Sequence, residues 1–267
     1  MQGSYTYSKN LVLGTSAETQ YFTPGTPLIN DVYNYGINKQ LATLGAPQAM
    51  VISGTYVTPR IRGDGTFAKL LSNVVRDFQI GALLRYQSGA LIQTPPSGNN
   101  LLTQLARGPE NNPALWGGGH TFYNAVPGVN RLLIDPNQKG FDPTKQLALN
   151  PAAWVDAAGG EFGTSAPYYN NYRWQRQPAE SLSLGRNFRI GKEGRYNLQV
   201  RAEFQNVFNR LFYSAPAVGS FGNTNPATAT ANANPGGGLS AGYGFVNYIN
   251  GAGSRPRSGQ MVARFTF

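Results

Sequence analysis

Few side chains in this sequence could do chemistry, and those that could are not grouped. The chain has no cysteine and one histidine, His120, in the stretch WGGGHTFYN. Thiolate nucleophiles, disulfides, cysteine-ligated metals and a two-histidine metal site are therefore excluded. No cluster of acidic residues accompanies His120 in the sequence, so we interpret it as a solvated loop residue and predict no metal site.

The acidic residues give no catalytic pair. Asp135, Asp142 and Asp156 lie at irregular spacing, and the D-x-D-x-D-G pattern of a calcium loop is absent. A G-x-S-x-G nucleophile elbow is also absent, because AVGSFG around Ser220 lacks the first glycine. The stretch GDGTFA at 63–68 opens no βαβ unit, so a glycine-rich turn is the better interpretation than a dinucleotide fingerprint. The sequence predicts no enzyme activity and no cofactor.

Aromatic and amide side chains are the remaining groups that could contact a ligand. Besides Trp116 and Trp154, they concentrate in the run PYYNNYRW at 167–174. Four of them could stack on a sugar or contact a peptide, namely Tyr168, Tyr169, Tyr172 and Trp174. The same rings could instead pack the loops against one another, which is the more conservative interpretation. Both alternatives stay open at this stage.

Six stretches must form the framework that positions these groups. Each alternates apolar and polar residues or is rich in β-branched and aromatic residues, as strands are. In RYNLQVRAEFQNVF, for example, Tyr196, Leu198 and Val200 share one parity while Asn197 and Gln199 share the other. Several stretches reach the roughly 9–11 residues of a tilted membrane strand. The predicted strands are Gly3–Asn10, Ala49–Thr58, Val74–Ser88, Glu180–Ile190, Arg195–Asn209 and Ser258–Phe267.

The connections between these strands alternate between long and short. The stretches at about 11–48, 89–179 and 210–257 are long and rich in Gly, Pro, Asn and Tyr. The turn GKEGR at 191–195 is tight, and the segment at 59–73 is of moderate length. In an up-and-down sheet every long connection then falls at one end and every short one at the other. Short periplasmic turns and long extracellular loops are typical of an outer-membrane β-barrel.

Composition narrows the class further. Only 13% of the residues are charged, against roughly 25% in ordinary soluble domains. The formal net charge is +10, but the basic residues are scattered singly, so we predict no nucleic-acid partner. No window approaches the roughly 18 consecutive apolar residues of a membrane helix, which leaves a β-barrel open. The N-terminal residues show no signal-peptide pattern.

The alternation alone leaves two architectures open. In a soluble sandwich the apolar face packs on a second sheet, whereas in a transmembrane barrel it meets lipid and the polar face lines the lumen. Arg186 departs from the pattern because it shares parity with apolar residues; a bulge or snorkelling at the periplasmic rim would accommodate it. Four charged residues of the polar parity could line a lumen or form an ion-paired ladder between strands, namely Arg85, Arg201, Glu203 and Arg264.

Several stretches carry a family resemblance: INKQLATLGAPQAMVISGTYVTP, IGALLRYQSGALIQTP, RAEFQNVFNR and the closing SGQMVARFTF. With NPAAWVDAAGGEFGTSAPYYNNYRWQRQPAESLSLGRNFRI, they cover nearly the whole chain. The sequence resembles the C-terminal barrel region of TonB-dependent outer-membrane receptors of the large Oar-like type, abundant in Acidobacteria, which begin with a carboxypeptidase-regulatory-like domain.

The resemblance implies a barrel of about 22 strands around an N-terminal plug, energised by the TonB complex. Residues 1–267 are then expected to be the C-terminal part of that barrel, without the plug, the TonB box and the signal peptide. The TonB complex would act only through that missing region, and outer-membrane lipid and the barrel-assembly machinery would be the other partners. A terminal aromatic with alternating apolar residues is the signal for barrel assembly, and Met261, Phe265 and Phe267 match it.

Two functions are weighed on these grounds. The first is the C-terminal part of a transporter or receptor for nutrient uptake in the Gram-negative outer membrane, inactive alone, with a periplasmic C-terminus and extracellular long loops. The fold expected for it is all-β, a partial or open antiparallel up-and-down transmembrane barrel portion of about six strands. The alternative is a soluble or cell-surface β-sandwich that binds carbohydrate through its aromatic loops.

Overall fold

The structure is a computed structural model. It describes residues 1–13, 34–43, 46–59, 65–66, 75–97, 121–143, 146–191, 196–218, 233–234, 238–239, 243–244, 246 and 256–267. Six long or central strands are β1 (Gln2–Tyr7), β4 (Gln48–Val57), β5 (Phe78–Gln87), β10 (Gln177–Ile190), β11 (Tyr196–Gln205) and β14 (Ser258–Thr266). Eight short strands are β2 (Leu11–Leu13), β3 (Lys39–Leu41), β6 (Leu91–Gln93), β7 (Asn124–Ala125), β8 (Trp154–Val155), β9 (Tyr168–Arg173), β12 (Ala233–Asn234) and β13 (Gly238–Leu239). Two short 3-10 helices span Tyr35–Asn38 and Pro151–Ala153.

The six main strands form one antiparallel sheet in the order β1-β4-β5-β10-β11-β14. Their spatial order is their chain order, so the sheet is an up-and-down meander, as the sequence predicts. All six predicted strands are confirmed, and the fold is all-β. Within the described residues β1 and β14 do not pair with each other, so the sheet is open and has two free edges.

Backbone conformation explains where the strands differ from their predicted bounds. Asp77 has φ of 63° and interrupts the chain just before β5, which therefore starts at Phe78 instead of Val74. Asn206 and Asn209, with φ of 48° and 49°, turn the chain after Gln205 and end β11 early. Left-handed φ is incompatible with a continuing strand, and Asn and Asp tolerate it better than other side-chain-bearing residues.

Strand β10 begins three residues before its predicted start, and it includes Pro178 because that residue has a neighbouring strand on one side only. Proline cannot donate to a sheet ladder, so it is tolerated only where one side of a strand is unpaired. Residues Gln177–Arg186 of β10 pair with β5, but pairing with β11 begins only at Ser181. Pro178 therefore lies in the segment of β10 that has a single ladder partner.

The remaining secondary structure lies in the long connections. The short sheets β2-β3, β6-β9, β7-β8 and β12-β13 all fall between the main strands. We call the described parts of the connections 8–47, 88–176 and 206–257 the cap, because all three leave the same end of the sheet: the register pairs Tyr7 with Gln48, Gln87 with Gln177, and Gln205 with Ser258. The connections 58–77 and 191–195 leave the opposite end.

The buried core is in the cap. Among the described residues, every buried hydrophobic side chain lies outside the six main strands. A cluster of the described buried side chains comprises Ile92, Ala148, Leu149, Ala153, Trp154, Tyr172, Trp174, Tyr243 and Val246. The sheet thus carries no buried hydrophobic core of its own within the part of the chain that is described.

Candidate functional site

One face of the six-stranded sheet is apolar, and it is exposed. Directly paired residues of an antiparallel sheet share a face, so the register places β10, β11 and β14 side chains together in rows. Leu184 opposes Ile80 and Ala202, and Ala202 opposes Met261. Exposed side chains of this face include Tyr5, Met50, Tyr56, Ile80, Leu184, Phe188, Ile190, Tyr196, Phe204, Met261 and Phe265. A sheet that turns an apolar face outward needs an apolar surrounding.

The three residues predicted as an assembly signal belong to this face. Phe265 opposes Leu198, and Met261 opposes Ala202. The Phe265 ring stacks on the Tyr196 ring with centroids 5.9 Å apart and on the Phe267 ring at 6.3 Å. Phe265 remains 55% exposed and Phe267 92% exposed. The structure therefore brings these aromatic rings together on the outward apolar surface.

The opposite face is polar and carries a groove. One row runs from Thr55 through Gly81, Ser183 and Glu203 to Gln260. Residues of this face and the neighbouring backbone line an open groove of about 820 Å³. A Cβ added at Gly81 would clash with the hydroxyl of Ser183. The absence of a side chain at Gly81 therefore leaves space at the bottom of the groove. This face offers hydroxyl, amide and charged groups to whatever fills the groove.

Two of the four charged residues predicted on the polar face, Arg201 and Glu203, contact each other there. Arg201 forms an ion pair with Glu203, two residues along the same strand. Glu203 also accepts a hydrogen bond from Gln260 Nε2 on β14, at 2.6 Å. The register also places Arg85 and Arg264 on this face. The ion pair of Glu203 lies within β11, and its link to β14 is a hydrogen bond from a neutral amide, so both the ion-paired ladder between strands and the lumen lining stay predictions.

Arg186 lies on the apolar face without a bulge. It pairs in register with Phe78 and Val200. Its guanidinium carbon lies 4.9 Å from the Phe78 ring centroid and 5.0 Å from that of Phe188. Cation–π contact of this kind lets a guanidinium sit against apolar surroundings. Of the two predicted explanations, the bulge is wrong.

Glu180 is a second charged residue of the apolar parity, and no local sequence pattern predicts its contacts. Its side chain is 1% exposed. Tyr86 donates a hydrogen bond to Glu180 Oε1 at 3.0 Å, and Arg210 donates from Nε to Oε2 at 2.9 Å. The left-handed turn at Asn206–Asn209 brings Arg210 back over β10. The turn therefore covers the apolar face at the cap end.

Three aromatic residues form the hydrogen-bonded centre of the cap. Trp154 Nε1 donates to the Tyr243 hydroxyl at 2.7 Å, and the hydroxyls of Tyr172 and Tyr243 lie 2.9 Å apart. Burial raises the pKa of Tyr243 to about 12 and raises the pKa of Tyr172 as well. Both phenols are therefore neutral at physiological pH. Tyr243 ties the connection 206–257 to the connection 88–176.

The predicted ligand-contacting aromatics divide into two pairs. Tyr172 and Trp174 are 0% and 3% exposed, and Trp174 Nε1 donates to the backbone oxygen of Tyr213 at 2.9 Å. Packing, one of the two predicted alternatives, is what the structure shows for this pair. Tyr168 and Tyr169 are half-buried. Ligand contact by any of the four stays a prediction, and only the second pair is open to solvent.

Other sequence candidates give no site. His120, Trp116 and most of the stretch at 63–68 lie outside the described residues. Asp156 accepts a hydrogen bond from Ser97 at 2.5 Å, and Asp135 accepts from the Asn137 backbone at 2.9 Å. Within the described ranges no group of three or more His, Cys, Asp or Glu residues could hold a metal ion. The described part of the chain has no helix long and apolar enough to cross a membrane.

An exposed apolar face, a polar face with a groove and an open up-and-down sheet are the features of a barrel wall. A family model described as outer membrane beta barrel domain matches residues 1–238. The chain belongs to this family. No curated protein and no solved structure matches it.

Because the chain belongs to the outer-membrane barrel family, each face of the sheet can be assigned to its surroundings. The apolar face meets lipid and the polar face with its groove faces the lumen, as in other transmembrane barrels. The protein is accordingly an outer-membrane protein. The soluble sandwich would need a second sheet on the apolar face, and within the described residues that face carries none.

Proposed function

We propose that this chain is the C-terminal part of a TonB-dependent outer-membrane transporter, which binds and imports a nutrient. The observation that carries the proposal is the combination of a wide polar groove with two free sheet edges. A barrel of about eight strands has an interior just large enough for side chains or one small ligand. A six-stranded open wall with a groove of about 820 Å³ fits a much wider barrel, completed by further strands.

The proposed orientation places the cap outside the cell and the two shorter connections in the periplasm. All three long connections leave the sheet at the cap end, and 58–77 and 191–195 leave at the other end. Outer-membrane barrels have short periplasmic turns and longer extracellular loops. The end of β14 at Thr266 would then lie on the periplasmic side.

The barrel-assembly machinery is the partner proposed for β14. Met261, Phe265 and Phe267 share the lipid-facing side, and β14 is an edge strand with a free hydrogen-bonding side. A free edge is a template for pairing with another strand. The TonB complex would act through a plug region preceding this sequence, and no nucleic-acid partner is proposed.

The reading frame upstream of the Met1 codon tests the proposal most directly. We expect an in-frame segment that encodes further barrel strands, a plug and a TonB box. An in-frame stop codon close upstream, with no such segment, would overturn it.

The longer protein encoded by the complete reading frame allows a functional experiment. The complete protein is expressed in the outer membrane of a Gram-negative host with and without TonB. Growth of the host is then measured on each of the growth substrates of the source organism. Growth that depends on both the protein and TonB is the expected result. Equal growth in both hosts would point to a passive channel and contradict the TonB-dependent mechanism.

A further inference from the structure

The most unusual cation of the cap is Arg131, because its guanidinium is held firmly but is poorly hydrogen-bonded. Its carbon Cζ lies 3.9 Å from the ring centroid of Tyr169 and 5.5 Å from that of Trp154. Arginine stacks well on aromatic rings through its planar guanidinium. The two rings fix the plane of the group, so little side-chain entropy is left to lose when a ligand binds.

The donor capacity of Arg131 is largely unused. A guanidinium has five N–H donors. With the described residues it makes one hydrogen bond, from Nη1 to Asn171 Oδ1 at a long 3.4 Å, and its Nε is buried with no partner among them. Charge-assisted hydrogen bonds to an anion are typically about 2.7–2.9 Å. The buried Nε is out of reach of a ligand, but at the exposed Nη side an oxyanion would form shorter and stronger bonds than Asn171 does.

The local backbone explains why Arg131 is presented in this way. The segment around Arg131 pairs with the segment that precedes the second 3-10 helix: Asn150 N donates to the Arg131 oxygen at 2.9 Å, and Leu133 N donates to the Ala148 oxygen at 2.9 Å. On β9, Tyr169 and Asn171 are two residues apart and contact the same guanidinium. Arg131 is thus anchored by its main chain on one side and by β9 on the other.

The surroundings of Arg131 favour a ligand with a single negative charge. No carboxylate of the described residues lies within ion-pair distance of it: the described ion pairs involve other arginines, at Arg76, Arg201 and Arg210. The neighbouring cation Arg173 is already engaged, with hydrogen bonds to Asn170 and to the Gly89 oxygen. One available guanidinium beside the exposed amide of Asn171 matches one carboxylate with a hydroxyl group next to it.

We propose that Arg131 is the centre of a carboxylate-binding site on the cap, suited to an acidic sugar. The guanidinium would bind the carboxylate, and the Asn171 amide would bind a neighbouring hydroxyl group. The site is argued from the geometry of the cap alone. Its role as the first contact for an imported cargo rests on the proposed function.

Galacturonate and galactose are matched probes for the test, because they differ at one carbon by a carboxylate in place of a hydroxymethyl group. Each is titrated into the whole chain in detergent, and tryptophan fluorescence is followed because Trp154 adjoins Arg131. We expect galacturonate to give a saturable change with a Kd of about 1 mM and galactose to give none. Salt and acetate should weaken the galacturonate response.

Variants locate the site. Arg131→Gln removes the charge and should weaken galacturonate binding at least about tenfold, since hydrogen bonds to charged groups are the strong ones. Arg131→Lys keeps the charge without the planar fork and should lose less. The control Arg176→Gln makes the same change in net charge at an exposed position and should bind as the unaltered chain does.

The outcomes separate this site from the proposed function. Equal responses to the two sugars, no response to galacturonate, or unchanged binding by Arg131→Gln would each overturn the carboxylate site. If Arg131→Gln fails to fold, acetate competition and salt dependence in the unaltered chain still decide the question. None of these measurements involves TonB, so a TonB-independent transporter with a working Arg131 site remains a distinguishable result.

Discussion

Aromatic rings are used in opposite ways by the sheet and by the cap. In the sheet the rings of Tyr196 and Phe265 lie 5.9 Å apart on an exposed face. In the cap the rings of Trp154 and Tyr172 lie 5.8 Å apart in a closed core. The ring distances are alike, but the surroundings are lipid in the first case and protein in the second. Ring contact alone therefore does not identify a core; exposure and the partners of the polar atoms do.

The comparison also shows where each region obtains its stability. The cap resembles a small soluble domain, in which buried side chains and satisfied phenols favour the folded state. The sheet has ladder hydrogen bonds and depends on lipid for its apolar face. We therefore expect the two regions to respond differently to the same substitution.

The largest effect is expected from matched leucine substitutions in the two regions. Leu149 is 0% exposed in the cap core and Leu184 is 48% exposed on the sheet. Leu149→Ala leaves a cavity and should destabilise the cap by about 2–5 kcal/mol. Leu184→Ala should cost less, because detergent or lipid fills the space. Urea unfolding measures both, with tryptophan fluorescence for the cap and far-UV circular dichroism for the sheet.

The probes separate the regions because Trp154 and Trp174 lie in the cap and the six main strands contain no tryptophan. In the unaltered chain the fluorescence transition should be distinct from the loss of strand signal. Coincident transitions, with equal losses in the two variants, would show that cap and sheet unfold as one unit. That result would break the comparison.

A second pair of substitutions tests which sheet face meets lipid. Ala82 pairs with Leu182 on the apolar face, whereas the adjacent Leu83 pairs with Ser181 on the polar face. Ala82→Arg should cost about 2–4 kcal/mol in lipid vesicles, because it places a charge at mid-strand against lipid. Leu83→Arg should change stability by no more than about 0.5 kcal/mol. Unfolding in vesicles measures both.

This pair of variants is informative because two arguments predict opposite orders of stability for it. Hydrophobicity alone ranks the loss of a leucine as worse than the loss of an alanine, and the register ranks them the other way. If Leu83→Arg is the more damaging variant, the lipid and lumen faces are assigned the wrong way round.

The sheet was predictable from sequence because its signals are local and repeated. Alternation along β11 and β14 sets which residues share a face, and in an up-and-down sheet chain order gives spatial order. The bounds were less predictable. Asp77, Asn206 and Asn209 adopt left-handed backbone that many other residues would not tolerate, but nothing in the alternation requires those positions to turn.

The cap was predictable only in part. The aromatic run at 167–174 identified Tyr172 and Trp174 as notable residues without deciding between ligand contact and packing. Their partner Tyr243 lies 71 residues beyond Tyr172, and Arg131 lies in a stretch with no periodic pattern. Contacts of this kind depend on the path of irregular chain, which neither periodicity nor a local motif encodes.

A third prediction concerns the pH dependence of the cap. Burial raises the pKa of Tyr243 to about 12, against about 10 for an unfolded tyrosine. As the pH rises, the Tyr243 phenol therefore loses its proton first in the unfolded cap. The contribution of this phenol to the stability of the cap is fully present below pH 10 and is lost as the pH rises towards 12. At pH 11 one such phenol should reduce the free energy of unfolding by about 1 kcal/mol. Urea midpoints followed by tryptophan fluorescence measure the loss.

A variant identifies the groups responsible. Burial also raises the pKa of Tyr172, so Tyr172→Phe should remove the share of Tyr172 in the alkaline loss and leave that of Tyr243, while it keeps the hydrogen bond from Trp154 to Tyr243. A cap stability that stays constant up to pH 11 would contradict the assignment of these phenols as a desolvated pair. The comparison would then need another account of the cap core.

A small effect is also expected for the ion pair of the polar face, and it tests whether water fills the lumen. Glu203 pairs with Arg201 and accepts from Gln260, but its side chain is 30% exposed and that of Arg201 is 45% exposed. Exposed ion pairs contribute about 0–1 kcal/mol and weaken with salt. Glu203→Gln should therefore cost less than about 1 kcal/mol, and added salt should reduce the difference further.

Glu180→Gln is the matched comparison for that prediction, because the Glu180 carboxylate is buried under Arg210 at the cap end of the sheet. It should cost more than Glu203→Gln and should respond less to salt, since water and ions do not reach the buried carboxylate, although Arg210 itself is exposed. Unfolding in vesicles at low and high salt compares the two variants. A large, salt-independent loss for Glu203→Gln would mean that the polar face is dry, as in a narrow filled barrel, and not a water-filled lumen. The groove would then be filled by side chains of the complete barrel, and this result would contradict the proposed transport of a nutrient through it.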